Sequence, residues 1–255
     1  MSMKAFPYDK SAALLDVEGK IKRSPLRDPI DDQIRLAAFQ LGNSTANVDL
    51  LARKASDGST QIWSVGDFNS ATRRNLPTEP DQNWQVVGAA DFNRDGQQDL
   101  LWRNMRTGAV RIWQLNNDAA QTISLGAVND LGWQIAGLAD FNNDGSDDIL
   151  WQNRRSGEVV LWFLNRTSIS SGSIVGSTGA GNWRIQGIAN LNNDGTPDLI
   201  WYNTTSAETV YWLFKDGIPF QGALLNQAPS TDWKIAGIGD FNGDSGSDLF
   251  WRNDR

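Results

Sequence analysis

Cysteine and histidine are both missing from the 255-residue chain. Their absence excludes disulfides, thiolate chemistry, zinc sites built on Cys or His, and every mechanism that uses an imidazole base. The formal net charge of −7 argues against nucleic acid or an anionic membrane as a partner, because such surfaces concentrate Lys and Arg. No apolar run approaches the roughly 20 residues of a membrane span, and the first residues lack the pattern of a signal peptide. We therefore expect neither nucleic acid binding nor membrane insertion.

One acidic stretch occurs in four versions along the chain. DFNNDGSDDILWQN covers residues 140–153, and close copies begin at Asp91, Asn190 and Asp240, so that successive copies lie 49, 50 and 50 residues apart. A fixed period of this size is typical of repeat proteins. All twelve tryptophans follow the same period in three columns: Trp84, Trp133, Trp183 and Trp233; Trp102, Trp151, Trp201 and Trp251; and Trp63, Trp113, Trp162 and Trp212.

The segments within each unit are short, rich in Val, Ile, Leu and Trp, and separated by Gly, Asn and Asp turns. Such segments are typical of strands, about four per unit, and a period near 50 with four strands indicates the blades of a propeller. We predict an all-β fold, a single five-bladed β-propeller over residues 1–255. A solenoid is the competing interpretation. The predicted blade units cover residues of about 34–79, 80–128, 129–178, 179–228 and 229–255.

The two ends of the chain are predicted to complete one blade together. The last unit stops after its first two strands, which leaves an open sheet edge. The N-terminal SAALLDVEGKIKRSPL (residues 11–26) aligns with the outer hairpin of the second unit (108–125). Residues of about 8–30 are therefore expected to close the ring by pairing with the last unit, and a flexible leader is the alternative.

The repeated stretch has the chemistry of a calcium loop. In D-x-N-x-D-G-x-x-D, oxygen-bearing side chains occupy positions 1, 3, 5 and 9, a carbonyl is added at position 7, and glycine permits the sharp turn, as in calcium-binding hands. We predict up to four Ca²⁺ sites, of which the fourth-unit site has two carboxylates and is the weakest intact one. The predicted ligands are Asp91, Asn93, Asp95, Gln97 and Asp99; Asp140, Asn142, Asp144, Asp147 and Asp148; Asn190, Asn192, Asp194, Thr196 and Asp198; and Asp240, Asn242, Asp244 and Asp248.

Two features qualify the calcium prediction. Asp, Asn and Gly also dominate ordinary turns, so metal-free Asx turns are the alternative. Tryptophan stands at position 12, where the tight calcium loops have a bidentate Glu, so we expect dissociation constants of about 10⁻⁴ to 10⁻³ M. The first unit keeps only Asn43 and Asp49 in register and is predicted to bind no metal.

The stretch D-F-N-x-D-G-x-x-D-[IL]-x-W resembles the FG-GAP or VCBS repeat, the blade unit of integrin α-chain propellers and of many bacterial surface proteins. The resemblance covers residues 34–255 and departs from the pattern at Asn190-Leu191 and at Ser245. It implies a β-propeller with calcium in loops at the blade rim and an adhesive or sugar-binding role. Family members mostly have seven blades, so a count of five departs from them.

The remaining repeated residues have mainly structural interpretations. Tryptophans in register with strands more often fill the space between sheets than contact a ligand. We expect this of Trp102, Trp151, Trp201 and Trp251, and of Trp113, Trp162 and Trp212. Trp84, Trp133, Trp183 and Trp233, which follow polar loops, are the candidate ligand-binding residues. The asparagines that follow the second column (Asn104, Asn153, Asn203 and Asn253) are expected to cap hairpin turns.

The functional prediction is a non-catalytic calcium-binding recognition module, carbohydrate-binding or adhesive, at a cell surface or outside the cell. The alternative is an assembly component that docks a protein partner through residues 1–33 and an irregular insert at 66–83, where Arg73 and Arg74 lie. A glycosidase using Glu158 and Glu208 is the least favoured hypothesis, because most well-placed aspartates already belong to the loops.

Overall fold

The computed structural model describes residues 34–39, 48–67, 70–179, 181–243 and 246–255. These residues form 18 strands. The chain divides into two compact units, Met1–Ala127 and Val128–Arg255. The described part of the chain contains no helix with the length and apolar character needed to cross a membrane.

The first unit contains two four-stranded antiparallel sheets, each with its strands in sequence order. Sheet one comprises β1 (Ile34–Phe39), β2 (Val48–Lys54), β3 (Thr60–Asp67) and β4 (Ser70–Leu76). Sheet two comprises β5 (Trp84–Ala90), β6 (Asp99–Asn104), β7 (Ala109–Asn116) and β8 (Ala119–Ala127). Leu51, Ile62 and Leu76 of sheet one form one buried cluster with Leu100 and Trp102 of sheet two.

The second unit repeats this plan and ends on a shorter sheet. Sheet three comprises β9 (Trp133–Ala139), β10 (Asp148–Asn153), β11 (Glu158–Asn165) and β12 (Ser168–Ser177). Sheet four comprises β13 (Trp183–Ala189), β14 (Asp198–Asn203), β15 (Glu208–Lys215) and β16 (Ile218–Gln227). Sheet five has two strands among the described residues, β17 (Trp233–Gly239) and β18 (Asp248–Asn253).

The second strand of a complete sheet is the most buried. In β6 and β10 all six residues are buried, whereas the third strand β7 alternates between buried and partly exposed positions. Alternation is expected when one face of a strand packs more tightly than the other, and continuous burial when both faces are covered. The apolar pairs of the second strands, such as Leu100-Leu101 and Ile149-Leu150, are therefore fully enclosed.

The turn between the second and third strands confirms the predicted role of the asparagines. Asn153 Oδ1 accepts hydrogen bonds from the amides of Arg155 and Ser156, at 2.9 and 3.2 Å, and Asn104 and Asn203 cap their turns in the same way. Gly157 ends the turn with a φ of 75°, and a Cβ there would lie 1.9 Å from the carbonyl oxygen of Gly179. A side chain at Gly157 would meet both a left-handed backbone and this carbonyl oxygen, so a substitution there would be strained.

The prediction of about four strands per unit, with two in the last, is confirmed for the described residues. The prediction of an irregular insert at 66–83 was wrong. Much of this segment belongs to the hairpin of β3 and β4, where the Arg73 guanidinium lies 4.5 Å from the Trp63 ring centroid and Arg74 donates to the carbonyl of Asn117. The charge of arginine favoured a loop in the sequence. In a strand, however, its long side chain can cover apolar surface while its charged end reaches water. Residues 8–30, the predicted completion of sheet five, lie outside the described residues, as does Asn43.

Candidate metal loops

Three loops with one common fold join the first and second strands of sheets two, three and four: residues 91–99, 140–148 and 190–198. In the first, the Asp95 amide donates to Asp91 Oδ1 at 3.1 Å and to Asn93 Oδ1 at 3.0 Å, and the Gly96 amide donates to Asp91 Oδ2 at 2.8 Å. Asp140, Asn142 and Asp144 repeat the first two bonds, and Asn190, Asn192 and Asp194 do so again. These are Asx turns, in which short polar side chains satisfy nearby amides.

The aspartate at position 5 organises the second half of each loop. Asp95 Oδ1 accepts from the Gln97 amide at 2.8 Å and Oδ2 from Asn93 Nδ2 at 2.7 Å. Asp194 makes the same pair of bonds, and the bond from the Thr196 amide is the main cause that lowers its pKa. In the 140–148 loop the matching amide belongs to Ser146, which donates to Asp144 Oδ1 at 2.7 Å. Ser146 therefore replaces the predicted Asp147 as the residue equivalent to Gln97 and Thr196.

The aspartate at position 9 has a different environment. Asp99, Asp148 and Asp198 each have 0% exposure. Asp148 Oδ2 accepts from the Phe141 amide at 2.9 Å, and Oδ1 accepts from the Leu164 amide of β11 at 3.0 Å. Asp99 and Asp198 bond the equivalent amides of their own loops and third strands. Each of these carboxylates therefore joins the loop to the third strand of its sheet.

Burial changes the protonation of the position-9 carboxylates. It raises the pKa of Asp99 and of Asp148 to about 6, against the lowering effect of the backbone amides, and it also raises the pKa of Asp198. Neighbouring carboxylates act in the same direction, because Asp91 and Asp95 repel a charge on Asp99. A cation in the loop would reverse this effect by favouring the ionised form.

The donor set suits a hard cation, although the side chains do not converge on a centre. The loops present carboxylate, amide and backbone oxygens, which are calcium's preferred ligands, and a carboxylate that accepts one bond per oxygen retains lone pairs. Among the described residues, no group of three or more His, Cys, Asp or Glu side chains is arranged to hold a metal ion. The Asn93 Nδ2 to Asp95 Oδ2 bond occupies one place that a cation would take. The donor types therefore suit calcium, but the arrangement does not, and the position-3 amide would have to turn its oxygen inward before the loop could hold a cation.

The other two loops are only partly described. In sheet five the Phe241 amide donates to Asp248 Oδ2 at 2.9 Å, as the equivalent amides do in the other loops, whereas Asp240 Oδ1 accepts from the position-4 amide of Gly243 at 2.6 Å. Asp244, its predicted position-5 ligand, lies outside the described residues. The loop of the first unit, over residues 40–47, also lies outside them.

Comparison with known families agrees with this repeated loop. The FG-GAP-like repeat matches twice in succession, at residues 91–151 and 140–201. The chain contains FG-GAP-like repeats. No curated protein matches the sequence.

Among solved structures, the chain is similar to the Kuenenia stuttgartiensis hydrazine synthase, with 10% identity and a TM-score of 0.49 over 87% of this chain and 55% of that one. It is also similar to dihydro-heme d1 dehydrogenase NirN in complex with DHE, with 10% identity and a TM-score of 0.42 over 84% of this chain and 49% of that one. The chain thus spans about half the length of each of these structures.

The tryptophans of the FG-GAP-like repeats separate by column. Trp102, Trp151 and Trp201 are at most 1% exposed, and their rings pack at centroid distances of 4.5 to 4.9 Å against Trp113, Trp162 and Trp212. The predicted core role is confirmed for Trp102, Trp151, Trp201 and Trp113. Trp162, Trp212 and Trp251 are only half-buried.

The candidate ligand-binding column is half-buried at all four positions, Trp84, Trp133, Trp183 and Trp233. One face of the Trp84 ring is already covered by the Arg111 guanidinium, which lies 3.8 Å from the ring centroid. The same guanidinium is paired with the largely buried carboxylate of Glu79. Nothing in this arrangement favours Trp84 over its three counterparts as a ligand contact.

A further set of residues joins neighbouring sheets. One buried residue near the end of a second strand donates to the carbonyl of the next sheet's first tryptophan: Arg53 of β2 to Trp84 at 2.8 Å, Gln152 of β10 to Trp183 at 2.7 Å and Tyr202 of β14 to Trp233 at 2.9 Å. We call these the sheet-to-sheet bonds. Sequence reasoning missed them because Arg, Gln and Tyr look unrelated. Their shared position in the repeat was the available signal, since Gln152 and Tyr202 directly follow second-column tryptophans and Arg53 follows Ala52 at the same place.

Proposed function

We propose that the chain is a non-catalytic recognition module at a cell surface, stabilised by calcium. The observation that supports it is the recurrence of one all-oxygen loop, with the same backbone turn, at 91–99, 140–148 and 190–198. The carboxylates at position 5 are exposed, so that a cation has access to them from solvent, whereas the position-9 carboxylate anchors the loop in the sheet. Bound calcium would neutralise the clustered carboxylates and so hold the loop in one conformation.

The proposed ligands follow the loop positions. In the 140–148 loop they are Asp140, Asn142, Asp144, the Ser146 carbonyl and Asp148. The loops at 91–99 and 190–198 contribute the equivalent residues, and the loop at 240–248 contributes Asp240, Asn242, Asp244 and Asp248. At the expected affinity the loops would bind little calcium at the concentrations found inside a cell, which favours an extracellular location.

We further propose that the sheets are blades of a five-bladed propeller closed by residues of about 8–30. The support lies in sheet five, which has two strands where the others have four. Its Phe241 and Phe250 are 56% and 57% exposed, whereas Phe141 and Leu150 at the equivalent positions of sheet three have 0% exposure. Covering this apolar surface and pairing the edge of β18 would stabilise the chain. Deletion of residues 1–33 should therefore lower the melting temperature, and an unchanged value would contradict closure.

The ligand of the module is proposed to be a carbohydrate, with a protein as the second candidate. A protein partner is favoured by one observation, the exposed apolar side chains on the outer strands β12 and β16, among them Ile174, Ile218 and Leu224. A protein partner packed on these strands would remove such side chains from water. Catalysis is not part of the proposal, since the most buried carboxylates are engaged by backbone amides and the chain lacks His and Cys.

Calcium titration tests the proposal. In a titration calorimeter the protein should release or absorb heat on addition of calcium. At about 100 times the dissociation constant, each bound ion should add about 2.7 kcal/mol to the free energy of unfolding. Chelator should reverse the gain. Asp144→Ala should reduce the calcium-dependent shift, and Asp118→Ala, an exposed acidic residue in a hairpin turn outside the loops, should leave it unchanged. Absence of both heat and a melting shift would contradict the calcium part of the proposal.

A further inference from the structure

One asparagine in the chain is followed by glycine, and it is Asn242, at position 3 of the 240–248 loop. The residue after an asparagine matters because its main-chain nitrogen can attack the carbonyl carbon of the asparagine side chain, and a Cβ on that residue hinders the attack. Glycine has no Cβ. In the three other loops the position-3 asparagine is followed by a residue that has one: Asn93 by Arg94, Asn142 by Asn143 and Asn192 by Asn193.

The position-3 side chain is also fixed in these three loops. Asn93 Oδ1 accepts from the Asp95 amide at 3.0 Å, and Asn93 Nδ2 donates to Asp95 Oδ2 at 2.7 Å. Asn142 and Asn192 make the same pair of bonds to their own position-5 aspartates. Both ends of each side-chain amide are engaged with position 5, which opposes a rotation toward the nitrogen of position 4. The three asparagines are therefore internal controls for Asn242.

The carboxylate at position 1 differs between the loops as well. Asp91 and Asp140 accept from the amides of positions 5 and 6. Asp240 Oδ1 instead accepts from the Gly243 amide at 2.6 Å. This N–H is the one that loses its proton when the Gly243 nitrogen attacks Asn242. A general base acts over heavy-atom distances of about 2.6–3.2 Å, so Asp240 is positioned to take the proton.

The surroundings of Gly243 leave room for the reaction and for water. Asn242 and Gly243 are both exposed, and a Cβ built on Gly243 would meet no atom of the described residues within 4 Å. The φ of Gly243 is 81°, and the equivalent residues Arg94, Asn143 and Asn193 have φ values of 63°, 60° and 59°. Position 4 is thus left-handed in all four loops, and three of them accommodate a side chain there.

We propose that Asn242 is a site of spontaneous deamidation, in which Asp240 accepts the proton of the Gly243 amide. The Gly243 nitrogen forms a bond to Asn242 Cγ, the bond from Cγ to the side-chain nitrogen breaks, and Asp240 returns the proton to the departing ammonia. Water then opens the cyclic imide at either of its two carbonyl carbons. One product is an aspartate. The other is an isoaspartate, in which the main chain runs through the former side chain.

The modification changes both the charge and the length of the loop. Each product adds a carboxylate to a loop that already contains Asp240, Asp244 and Asp248, and the isoaspartate also lengthens the main chain by one carbon. The aspartate form should bind calcium more tightly than the unmodified loop, because affinity depends on the charge of the ligands. This consequence rests on the calcium-binding function proposed above, whereas the deamidation itself does not.

Peptide mapping by mass spectrometry tests the site. The full chain is incubated in chelator at neutral pH and physiological temperature and is then digested with trypsin, which releases residues 235–252 with Asn242 as their only asparagine. Conversion of Asn242 should be at least about tenfold faster than that of Asn93, Asn142 or Asn192 in the same sample, because a Cβ crowds the attacking nitrogen at those positions. Equal rates at the four asparagines would overturn the proposal.

Two variants test the roles of the neighbouring residues. Gly243→Arg introduces the position-4 residue of the 91–99 loop and should lower the rate to that of Asn93. Asp240→Asn should slow conversion at least about threefold in the folded chain and leave it unchanged in urea, where the contact is lost. A rate that Gly243→Arg does not lower would overturn the site, and equal effects of Asp240→Asn in both conditions would overturn the role of the carboxylate. If a melting curve shows a variant to be unfolded, the comparison within the wild-type chain decides.

Calcium titration of the converted chain separates this proposal from the proposed function. Conversion at Asn242 in a chain that gives no heat with calcium would leave the modification standing and contradict the calcium-binding module. Calcium binding without conversion would overturn the modification and leave the module standing.

Discussion

Strands β10 and β18 have nearly the same sequence, DILWQN and DLFWRN, and opposite environments. Every residue of β10 is buried, whereas β18 has no fully buried residue among its six. The difference comes from their neighbours, because β10 lies between β9 and β11 and β18 pairs only with β17 among the described strands. The hexapeptide therefore encodes a strand suited to burial, and adjoining strands and sheets supply the burial itself.

Replacing the tryptophan of each strand should have the largest effect. Trp151 is 1% exposed, and Trp151→Ala should lower the free energy of unfolding by about 3–5 kcal/mol. Closure by residues 8–30 predicts a similar cost for Trp251→Ala in the full chain and less than half of it in a chain lacking residues 1–33. Urea denaturation measures all three costs. A small cost of Trp251→Ala in both chains would contradict closure.

Within the 140–148 loop, the roles of the position-5 and position-9 aspartates can be separated by amide substitutions measured in the presence of chelator. Asp148→Asn should lower the free energy of unfolding by about 1–3 kcal/mol. The NH₂ group of the new asparagine would face one of two buried N–H donors and leave that donor unsatisfied. Asp144→Asn, at an exposed position, should change stability by no more than about 0.5 kcal/mol. Equal costs in thermal melts would show that position 9 is not the anchor of the loop.

The sheet-to-sheet bond of β10 should have a smaller effect. Gln152→Ala removes the bond to the Trp183 carbonyl and also the acceptor of the Ile185 amide, and we expect a loss of about 1–2 kcal/mol. The matched residue of β18 is Arg252, which is exposed and paired with Asp254. Arg252→Ala should change stability by less than about 0.5 kcal/mol. The chemical denaturation midpoints of the two variants provide the comparison, and a larger effect at Arg252 would reverse it.

The smallest expected effect is a dependence on pH. The folded pKa of Asp148 is raised to about 6, so its contribution to stability is complete below the unfolded value of about 3.9 and is lost as the pH rises through about 6. In chelator, the cost of Asp148→Asn should therefore be larger by about 1 kcal/mol at pH 5 than at pH 7. Excess calcium should flatten this dependence by favouring the ionised carboxylate. A cost that falls on acidification would mean that the pKa is lowered.

The sequence allowed a correct prediction of those features that recur at a fixed spacing. The period, the strand-rich units, the two strands of sheet five, the turn-capping asparagines and the buried tryptophans at 102, 151 and 201 all followed from residues aligned every 49 or 50 positions. Local hydrogen-bonding habits and apolar patterning are sufficient for these features, because each depends on residues close together in the chain.

The features that the sequence did not reveal depend on contacts between distant segments. Asp148 looks like its loop neighbours in sequence, yet its bond to the Leu164 amide of another strand makes it a buried anchor. Arg73 was assigned to an irregular insert, whereas its guanidinium packs on the ring of Trp63 across the hairpin. The partial exposure of Trp212 could not be predicted, because it depends on its cross-strand partner, Gly222, and on the approach of Gly176 from another sheet.

The acceptor in every sheet-to-sheet bond is a main-chain carbonyl, while the donor is a guanidinium, an amide or a phenol. A joint of this kind recognises the backbone of the adjoining repeat and is indifferent to which side chains that repeat has. A whole repeat could therefore be duplicated, lost or exchanged within the gene without a compensating substitution in the neighbouring repeat. Such tolerance gives this architecture a simple route to new numbers of repeats and to divergent outer strands.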